Sequence, residues 1–181
     1  MKMKLADPGL FRQQALIRGA WHDAEAGARF DVRNPANAET VGHAPRCTAA
    51  DTECAIAAAH AAFPAWRDQT AKARAQTLRR WFELILAHRD DLAAIMVSEQ
   101  GKPLAEACGE IDYAASFVEF YAEEARRVYG ETIPSHRVDA RIIVMRQPIG
   151  VVAQLDLFTP LLVLRFVRLR LVDHPTDLGV A

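Results

Sequence analysis

The chain has 181 residues, of which 51% are hydrophobic and 25% are charged, and its formal net charge at pH 7 is −1. This composition excludes a disordered chain, and the small net charge gives no reason to expect a nucleic acid or an anionic membrane as partner. Three cysteines without close pairing form no disulfide framework, so the sequence predicts a protein of the reducing cytoplasm.

The first part of the chain predicts short strands. Its start, MKMKLADPGLF, carries positive charge but lacks the apolar run of a signal peptide. A strand is predicted over residues 15–21, a turn over 23–27 and a second strand over 29–33, which together make an N-terminal β-hairpin. Residues 39–43 are predicted to add a third short strand.

Three helices of ordinary length are predicted next. Thr48 with Asp51 is a variant of the capping box and marks the start of the first helix, which Pro64 is expected to kink or end. The second helix covers about residues 71–88 and the third about residues 90–99. The apolar residues expected to face the core are Ile56, Ala59, Phe63 and Trp66 in the first, Leu78, Trp81, Leu84 and Ile85 in the second, and Leu92, Ile95 and Met96 in the third.

The most informative stretch, residues 98–134, predicts a helix end, a turn and a long amphipathic helix. Gly101 is expected to close the helix before it in a left-handed conformation, and Pro103 suits the first turn of the next helix. Gly130 is expected to stop this long helix, and Pro134 to prevent its renewal. The apolar stripe expected on its buried face consists of Leu104, Cys108, Ile111, Ala115 and Val118.

The pattern changes from helical to extended after Pro134. Residues 141–146 are predicted to form a strand, Pro148 interrupts it, and residues 150–153 begin another strand. Four helices packed with a few strands predict an α+β or α/β fold.

Several of these segments resemble the aldehyde dehydrogenase superfamily. The segments EQGKPLAEACGEI, FYAEEARRVYGETIP and RQPIGVV carry the resemblance, and IRGAW, FDVRNPA and AAAHAAFPAW agree with it. They span residues 16–153 in one unbroken order. Within the superfamily they resemble most the succinate-semialdehyde dehydrogenase branch, although other semialdehyde dehydrogenases share the AEEARR phrase.

The resemblance implies an α/β fragment of the aldehyde dehydrogenase fold. Residues 1–134 would hold the N-terminal strands and the four-helix portion of the cofactor-binding domain. Residues 135–153 would hold part of the hairpin through which subunits pair, and the start of the first sheet strand. The nucleotide-binding sheet would be largely missing, so the chain is expected to be truncated relative to the family.

Residues 154–181, QLDLFTPLLVLRFVRLRLVDHPTDLGVA, are expected to have no family counterpart. A frame change in the coding sequence and a genuine shortened variant both explain such a tail, and its unusual composition favours the frame change. Its apolar part, residues 161–172, is far short of the roughly 20 residues that span a bilayer. It suits a strand with one wet face, an amphipathic membrane-surface segment, or an unselected tail, which is the simplest account.

The family's chemistry, as the resemblance implies it, uses a cysteine thiolate, an asparagine amide, a glutamate, and NAD or NADP. The thiolate attacks an aldehyde, the amide and a backbone N–H hold the oxyanion, and the glutamate activates the water that releases the acid. All three side-chain roles lie beyond the point at which the sequence departs from the family. The resemblance therefore assigns no catalytic, cofactor-binding or metal residue to this chain. The chain alone is expected to be inactive and to bind neither NAD nor NADP.

The cysteines and histidines that are present have plainer explanations. Cys108 is expected to act as a small buried hydrophobe, because it lies on the apolar stripe of the long helix. Cys47, Cys54, His43 and His60 fall within eighteen residues and raise the idea of a zinc site. Their spacing matches no common zinc pattern, which argues against such a site.

Charged residues near the helix junctions are also given structural roles. Lys102 is expected to be a solvated lysine rather than a phosphate ligand, because no glycine-rich loop can be built around it. Glu99 is expected to make a cap contact rather than to act as an acid or base. Glu123 and Arg127 are expected to form an exposed ion pair along the helix, or else part of a contact surface.

Two functions from different classes remain open. In the first, the chain descends from an NAD(P)-dependent semialdehyde dehydrogenase, an oxidoreductase that converts a semialdehyde to a carboxylate. In the second, it is a non-catalytic assembly fragment that pairs with a full-length relative, or with itself, through the unpaired edge of a hairpin at residues 141–150. Side chains such as Trp81, Leu84 and Phe117 would lack the sheet that buries them, which predicts a marginally stable helical body.

Overall fold

The computed structural model describes residues 3–153 and 176–177 of the chain. Its helices are α1 (Ala49–Arg67), α2 (Ala71–Ala87), α3 (Arg89–Gln100) and α4 (Leu104–Glu124). Its strands are β1 (Ala15–Ile17), β2 (Ala20–His22), β3 (Arg29–Arg33), β4 (Thr40–Pro45), β5 (Glu131–Ile133), β6 (Ile142–Val144), β7 (Arg146–Gln147) and β8 (Thr176–Asp177). A short 3-10 turn at Pro8–Leu10 precedes them.

The N-terminal strands pair differently from the prediction. Residues 15–21 do not form one strand but fold back as the hairpin β1–β2, in which Ile17 lies opposite Ala20. The turn between them uses Arg18 and Gly19, both with positive φ (54° and 75°), the combination that a tight two-residue hairpin requires. The predicted pairing with residues 29–33 is therefore wrong, and β3 pairs instead with β4, the predicted third strand.

The start of α1 confirms the predicted cap. Thr48 and Asp51 form a complete capping box, in which each side chain accepts a hydrogen bond from the other residue's backbone N–H. Pro64 does not end the helix, since α1 continues to Arg67, and the Asp68 N–H closes the last turn on the Pro64 carbonyl. No residue of α1 is buried, and Ile56, which was expected to face the core, is 50% exposed.

The core lies between α2, α3 and α4, and α3 is its centre. Ile95 and Met96 are the largest side chains that are fully buried, and Leu92 is 4% exposed, as predicted for all three. Ile85 of α2 is also buried, but Leu84 beside it is 40% exposed, so that part of the prediction is wrong. The other buried members of this cluster are Ala93, Ala107, Ile111, Ala115 and Val118.

The junction between α3 and α4 confirms the predicted role of Gly101. Its φ is +70°, and its N–H donates to the Val97 carbonyl at 2.8 Å. A side chain at this position would also meet Pro35, whose Cγ lies 2.7 Å from an ideal Cβ. Pro103 is the residue that precedes α4, with an extended ψ of 140°.

The buried face of α4 is shifted by part of a turn from the predicted stripe. Ile111, Ala115 and Val118 are buried as expected, but Leu104 is 58% exposed. Ala107 and Ala122 extend the buried line instead. The prediction followed helical spacing from Leu104, whereas the buried line starts at Ala107 and is rich in alanine, whose small side chain lets neighbouring helices approach closely.

The long helix also ends earlier than predicted. α4 stops at Glu124, and the N–H groups of Arg126 and Arg127 donate to carbonyls three residues back, which tightens the end of the helix. Gly130 therefore does not stop it. Gly130 lies where an added Cβ would be 2.4 Å from the Val144 carbonyl oxygen, so glycine permits the close approach of β6.

The residues after α4 form small antiparallel pairs. β5, which was not predicted, pairs with β6, and the predicted strand at residues 141–146 is interrupted at Met145. β7 pairs with β8, which lies in the stretch predicted as a tail, and residues 150–153 form no strand. Every strand pair in the described part of the chain is antiparallel and two-stranded. The rest of the predicted tail lies outside the described residues.

None of the helices described here is both long and apolar enough to cross a bilayer.

Candidate functional site

The hairpin β5–β6 is the first candidate surface. Glu131, Thr132 and Ile133 lie opposite Val144, Ile143 and Ile142, and the loop between the strands covers residues 134–141. Ile143 is 68% exposed and Met145 is 65% exposed, so the hairpin presents apolar side chains to solvent. An exposed two-stranded pair of this kind has free edges to which a further strand can add.

The loop of this hairpin encloses an open pocket of about 470 Å³, lined by residues 132–138, 140 and 141. Arg137 of the lining donates two hydrogen bonds to the neighbouring Asp139, at 2.9 and 2.7 Å. The bonds from Arg137 lower the pKa of the Asp139 carboxyl. The lining holds no cysteine, glutamate or asparagine, so the pocket lacks the side chains that the family's chemistry requires.

The outer face of α4 is the second candidate surface. It carries exposed aromatic side chains along its C-terminal half, and two pairs of them are in edge contact. The ring centroids of Tyr113 and Phe117 are 4.8 Å apart, and those of Phe120 and Tyr121 are 5.4 Å apart. The exposed fractions are 66% for Tyr113, 41% for Phe117, 56% for Phe120 and 51% for Tyr121. Exposed apolar patches of this kind are typical of interaction surfaces, which makes this face a candidate.

The surroundings of Cys108 are the ones that bear on an activated thiol. Cys47 and Cys54 are exposed, and Cys108 is only partly buried, where it packs against the edge of the core. The positive charge of Arg89 acts near Cys108, but its guanidinium already donates to both oxygens of Asp112, at 2.6 and 2.7 Å. The hydrogen bonds from Arg89 hold the pKa of Asp112 below its ordinary value.

The proposed zinc ligands are not brought together. His43 Nδ1 lies 3.1 Å from Asp31 on the neighbouring strand. In residues 3–153, no group of three or more histidine, cysteine, aspartate or glutamate side chains could hold a metal ion.

Two charged residues near the helix junctions behave differently from the prediction. Lys102 is not a solvated lysine, because its side chain is only 22% exposed and forms an ion pair with Glu110. Arg127 pairs with Glu124 at 2.7 Å, one residue closer in sequence than the predicted Glu123. The first pair joins α4 to the turn before it, and the second joins the last residue of α4 to the turn after it. The cap contact expected of Glu99 stays a prediction.

Asp91 is a residue that the sequence reasoning missed. It is the one charged side chain that is buried in residues 3–153, and its two oxygens accept the N–H groups of Ala6 and Asp7, both at 2.8 Å. These bonds lower the pKa of its carboxyl. Asp91 lies in the first turn of α3, which is an ordinary place for an aspartate, so no sequence signal distinguished it from Asp90.

The described residues do not fit a dinucleotide. A dinucleotide-binding fold places the pyrophosphate at a helix start beside a glycine-rich turn, between parallel strands. Residues 3–153 contain antiparallel pairs and no glycine-rich turn leading from a strand into a helix. No residue in that range can therefore be assigned to NAD or NADP.

Comparison with known proteins defines the family. The model of the aldehyde dehydrogenase family matches residues 21–160, which extends past Ala153, where the resemblance was expected to end. The succinate-semialdehyde dehydrogenase (NADP(+)) GabD of Escherichia coli is 60% identical over 151 residues, and a glutarate-semialdehyde dehydrogenase of Pseudomonas aeruginosa is 59% identical over 151. Each alignment covers 83% of this chain and 31% of the relative, so the chain spans about a third of their length.

Solved structures agree with this assignment. The crystal structure of an NADP-dependent enzyme of Escherichia coli has a TM-score of 0.79 at 59% identity, over 80% of this chain and 30% of that one. The succinate-semialdehyde dehydrogenase of Burkholderia pseudomallei also has a TM-score of 0.79, at 53% identity, over 81% of this chain and 30% of that one. The chain belongs to the aldehyde dehydrogenase family.

Proposed function

We propose that the chain supplies the helical and hairpin part of an NAD(P)-dependent semialdehyde dehydrogenase, an oxidoreductase that converts a semialdehyde to a carboxylate. The identity of 60% and 59% over 151 residues with two semialdehyde dehydrogenases carries this proposal. The names of further relatives include 3-sulfolactaldehyde and aspartate-semialdehyde dehydrogenases. All these substrates pair an aldehyde with an acidic group, so we propose an aldehyde that carries an anionic group as the substrate class.

We further propose that the 181 residues do not catalyse this reaction by themselves. An activated thiol needs an electropositive neighbour, and the Arg89 charge near Cys108 is neutralised by Asp112. A dehydrogenase also needs a dinucleotide site, for which residues 3–153 provide neither parallel strands nor a glycine-rich turn. Both observations support a chain that scaffolds the active site without containing it.

The test is an assay of NAD(P)H formation by absorbance, with succinic or glutaric semialdehyde and either NAD or NADP. The purified 181-residue chain is expected to give no rate above a buffer blank, while the Escherichia coli relative measured beside it gives full turnover. Replacing all three cysteines by serine is the matched control for contaminating host enzyme. A rate that the wild-type chain shows and the cysteine-free variant loses would contradict the proposed inactivity.

A second candidate function is association with a full-length relative. The apolar hairpin around Ile143 and the aromatic face of α4 support it, because both are exposed here and both belong to the segment shared with the relatives. We expect the chain to co-elute with the Escherichia coli enzyme when the two are refolded together and sized by light scattering. Ile143→Lys is expected to weaken co-elution, because it places a charge on the strand β6 at the hairpin surface.

Val138→Lys is the matched control for that experiment. Val138 is also exposed and apolar, but it lies in the loop of the hairpin rather than on a strand. Equal loss of co-elution for both variants would speak against strand addition at this hairpin. No co-elution of the wild-type chain would remove the assembly role altogether.

A further inference from the structure

Residues 3–14 contact both the helical body of α2–α4 and the hairpin β3–β4, which also approach each other where Pro35 lies against Gly101. Four apolar side chains of this segment, Met3, Leu5, Leu10 and Phe11, pack against the core cluster of α2, α3 and α4. Apart from the 3-10 turn at Pro8–Leu10, the segment has no helix or strand of its own. Its position must therefore be fixed by contacts with the elements beside it.

One end of the segment is held by Asp91 at the start of α3. The Ala6 N–H donates to Oδ1 and the Asp7 N–H donates to Oδ2, each at 2.8 Å, so one carboxylate satisfies two consecutive backbone donors. Bonds to an ionised acceptor are stronger than neutral ones. The side chain of Asp7 is directed elsewhere, because its Oδ1 accepts the Gly9 N–H at 2.8 Å.

The other end of the segment is held by the hairpin β3–β4. The Gln13 Oε1 accepts the His43 N–H at 2.7 Å, across thirty positions of sequence. Phe11 lies against Gly42 so closely that an ideal Cβ there would be 2.7 Å from the ring Cζ. The segment thus touches the helices through Ala6 and Asp7 and the hairpin through Gln13, and Phe11 contacts both.

We propose that residues 3–14 form a bracket that couples the helical body of α2–α4 to the hairpin β3–β4, and that the Asp91 carboxylate is its anchor. The bracket has one hydrogen-bonded contact at Ala6 and Asp7 and another at Gln13. Leu10 and Phe11 make apolar contacts between them, and Met3 and Leu5 make apolar contacts before the first. Release of the anchor frees Ala6 and Asp7 and loosens the contact between Gln13 and His43. The helices keep their own core and stay folded. This proposal does not depend on the enzymatic role of the chain.

Hydrogen exchange of the full 181-residue chain, followed by NMR, tests the anchor. Asp91→Asn keeps the shape of the side chain but replaces one acceptor oxygen by an NH₂ group that faces a donor. The exchange rates of the Ala6 and Asp7 amides are expected to rise by about tenfold or more, because a charge-assisted bond is lost. The His43 amide is expected to exchange faster as well, while the Ile95 amide in α3 is unchanged.

Asp90→Asn is the matched control, since Asp90 is the neighbouring aspartate and its side chain is 93% exposed. Equal exchange at Ala6 and Asp7 in the two variants would overturn the proposal. Faster exchange at Ile95 in Asp91→Asn would overturn it too, because that result means global unfolding rather than release of the bracket.

A second variant tests the hairpin end independently. Gly42→Ala places a methyl group against Phe11 and Gln13 without demanding an unusual backbone conformation. Trypsin is expected to cut after Arg12 several-fold faster in this variant than in the wild type, and a rate equal to that of the wild type would contradict the coupling. The mass of the released fragment identifies the cleavage site.

Discussion

The helix α3 and the outer face of α4 lie within one helical body but meet opposite environments. Ile95 and Met96 of α3 are fully buried, whereas Tyr113 and Phe120 of α4 are more than half exposed. Both helices contain enough apolar residues to form a core, so composition does not distinguish them. The difference shows that residues 3–153 complete one core around α3 and leave a second apolar surface exposed.

The largest expected effect comes from breaking the completed core. Ile95→Ala removes a fully buried side chain and leaves a cavity, so we expect a loss of about 2–5 kcal/mol in the free energy of unfolding. Leu104→Ala is the matched control, because Leu104 is 58% exposed and its loss should cost within about 0.5 kcal/mol. Urea unfolding followed by circular dichroism measures both. Equal losses would mean that α3 is not the centre of the core.

The junction between α3 and α4 gives the second-largest expected effect on stability. Gly101→Ala imposes a positive φ on a residue with a side chain and pushes its Cβ into Pro35, so we expect a loss of about 1–3 kcal/mol. Gly109 lies within α4, where an added Cβ would meet open space. Gly109→Ala should therefore stabilise the helix by about 0.5–1 kcal/mol. Thermal unfolding of the two variants is expected to shift the midpoint in opposite directions. A stabilising Gly101→Ala would contradict the described cap.

Acid provides a graded way to loosen the hydrogen bonds that carboxylates accept at the starts of α1 and α3 and on α4. The pKa values of Asp51, Asp91 and Asp112 all lie below the ordinary 3.8, chiefly because of hydrogen bonds to the ionised carboxylates. The unfolded chain therefore binds more protons than the folded one as the pH approaches these values. The stabilisation is fully present above pH 3.8 and is lost as the pH falls through the lowered values. Thermal unfolding between pH 7 and pH 3 measures this loss of stability. Asp91→Asn should make the unfolding midpoint fall less steeply as the pH is lowered.

The smallest expected effect on stability comes from the uncovered face. Phe120 is 56% exposed, so Phe120→Ser should change the free energy of unfolding by about 0.5 kcal/mol or less. The same change should lower self-association and the binding of a hydrophobic dye, because it removes an apolar ring from the surface. Dynamic light scattering and dye fluorescence measure these two quantities. A loss of stability as large as that of Ile95→Ala would show that the face is packed after all.

The sequence predicted well where the physics is local. The capping box of Thr48 and Asp51 spans three residues, and the left-handed Gly101 closes its own helix, so both follow from short patterns. The buried residues of α3 also followed from helical spacing. The family resemblance, which depends on continuous phrases of sequence, was confirmed by the comparisons.

The failures occurred where residues distant in sequence approach one another. The need for glycine at position 130 comes from the nearby Val144 carbonyl, and the burial of Asp91 comes from its bonds to backbone amides more than eighty positions away. No short sequence pattern reveals either contact. Leu104 was placed in the core because of its helical spacing from Cys108 and Ile111, although Ala107 and Ala122 are the residues that extend the buried line of α4. The division of residues 15–21 into two strands could have been predicted, because a tight two-residue turn needs a positive φ at both residues and Gly19 is one of them.

The carboxylate of Asp51 has a consequence for how the first third of the chain tolerates change. One oxygen accepts the Thr48 N–H at 2.7 Å, and the other accepts the Glu25 N–H at 2.9 Å in the connection between β2 and β3. Asp51, in the first turn of α1, therefore anchors Glu25, which lies twenty-six positions upstream. Insertions near Glu25 are therefore expected to fray the first turn of α1. Insertions in the loop of the hairpin β5–β6 are expected to be better tolerated.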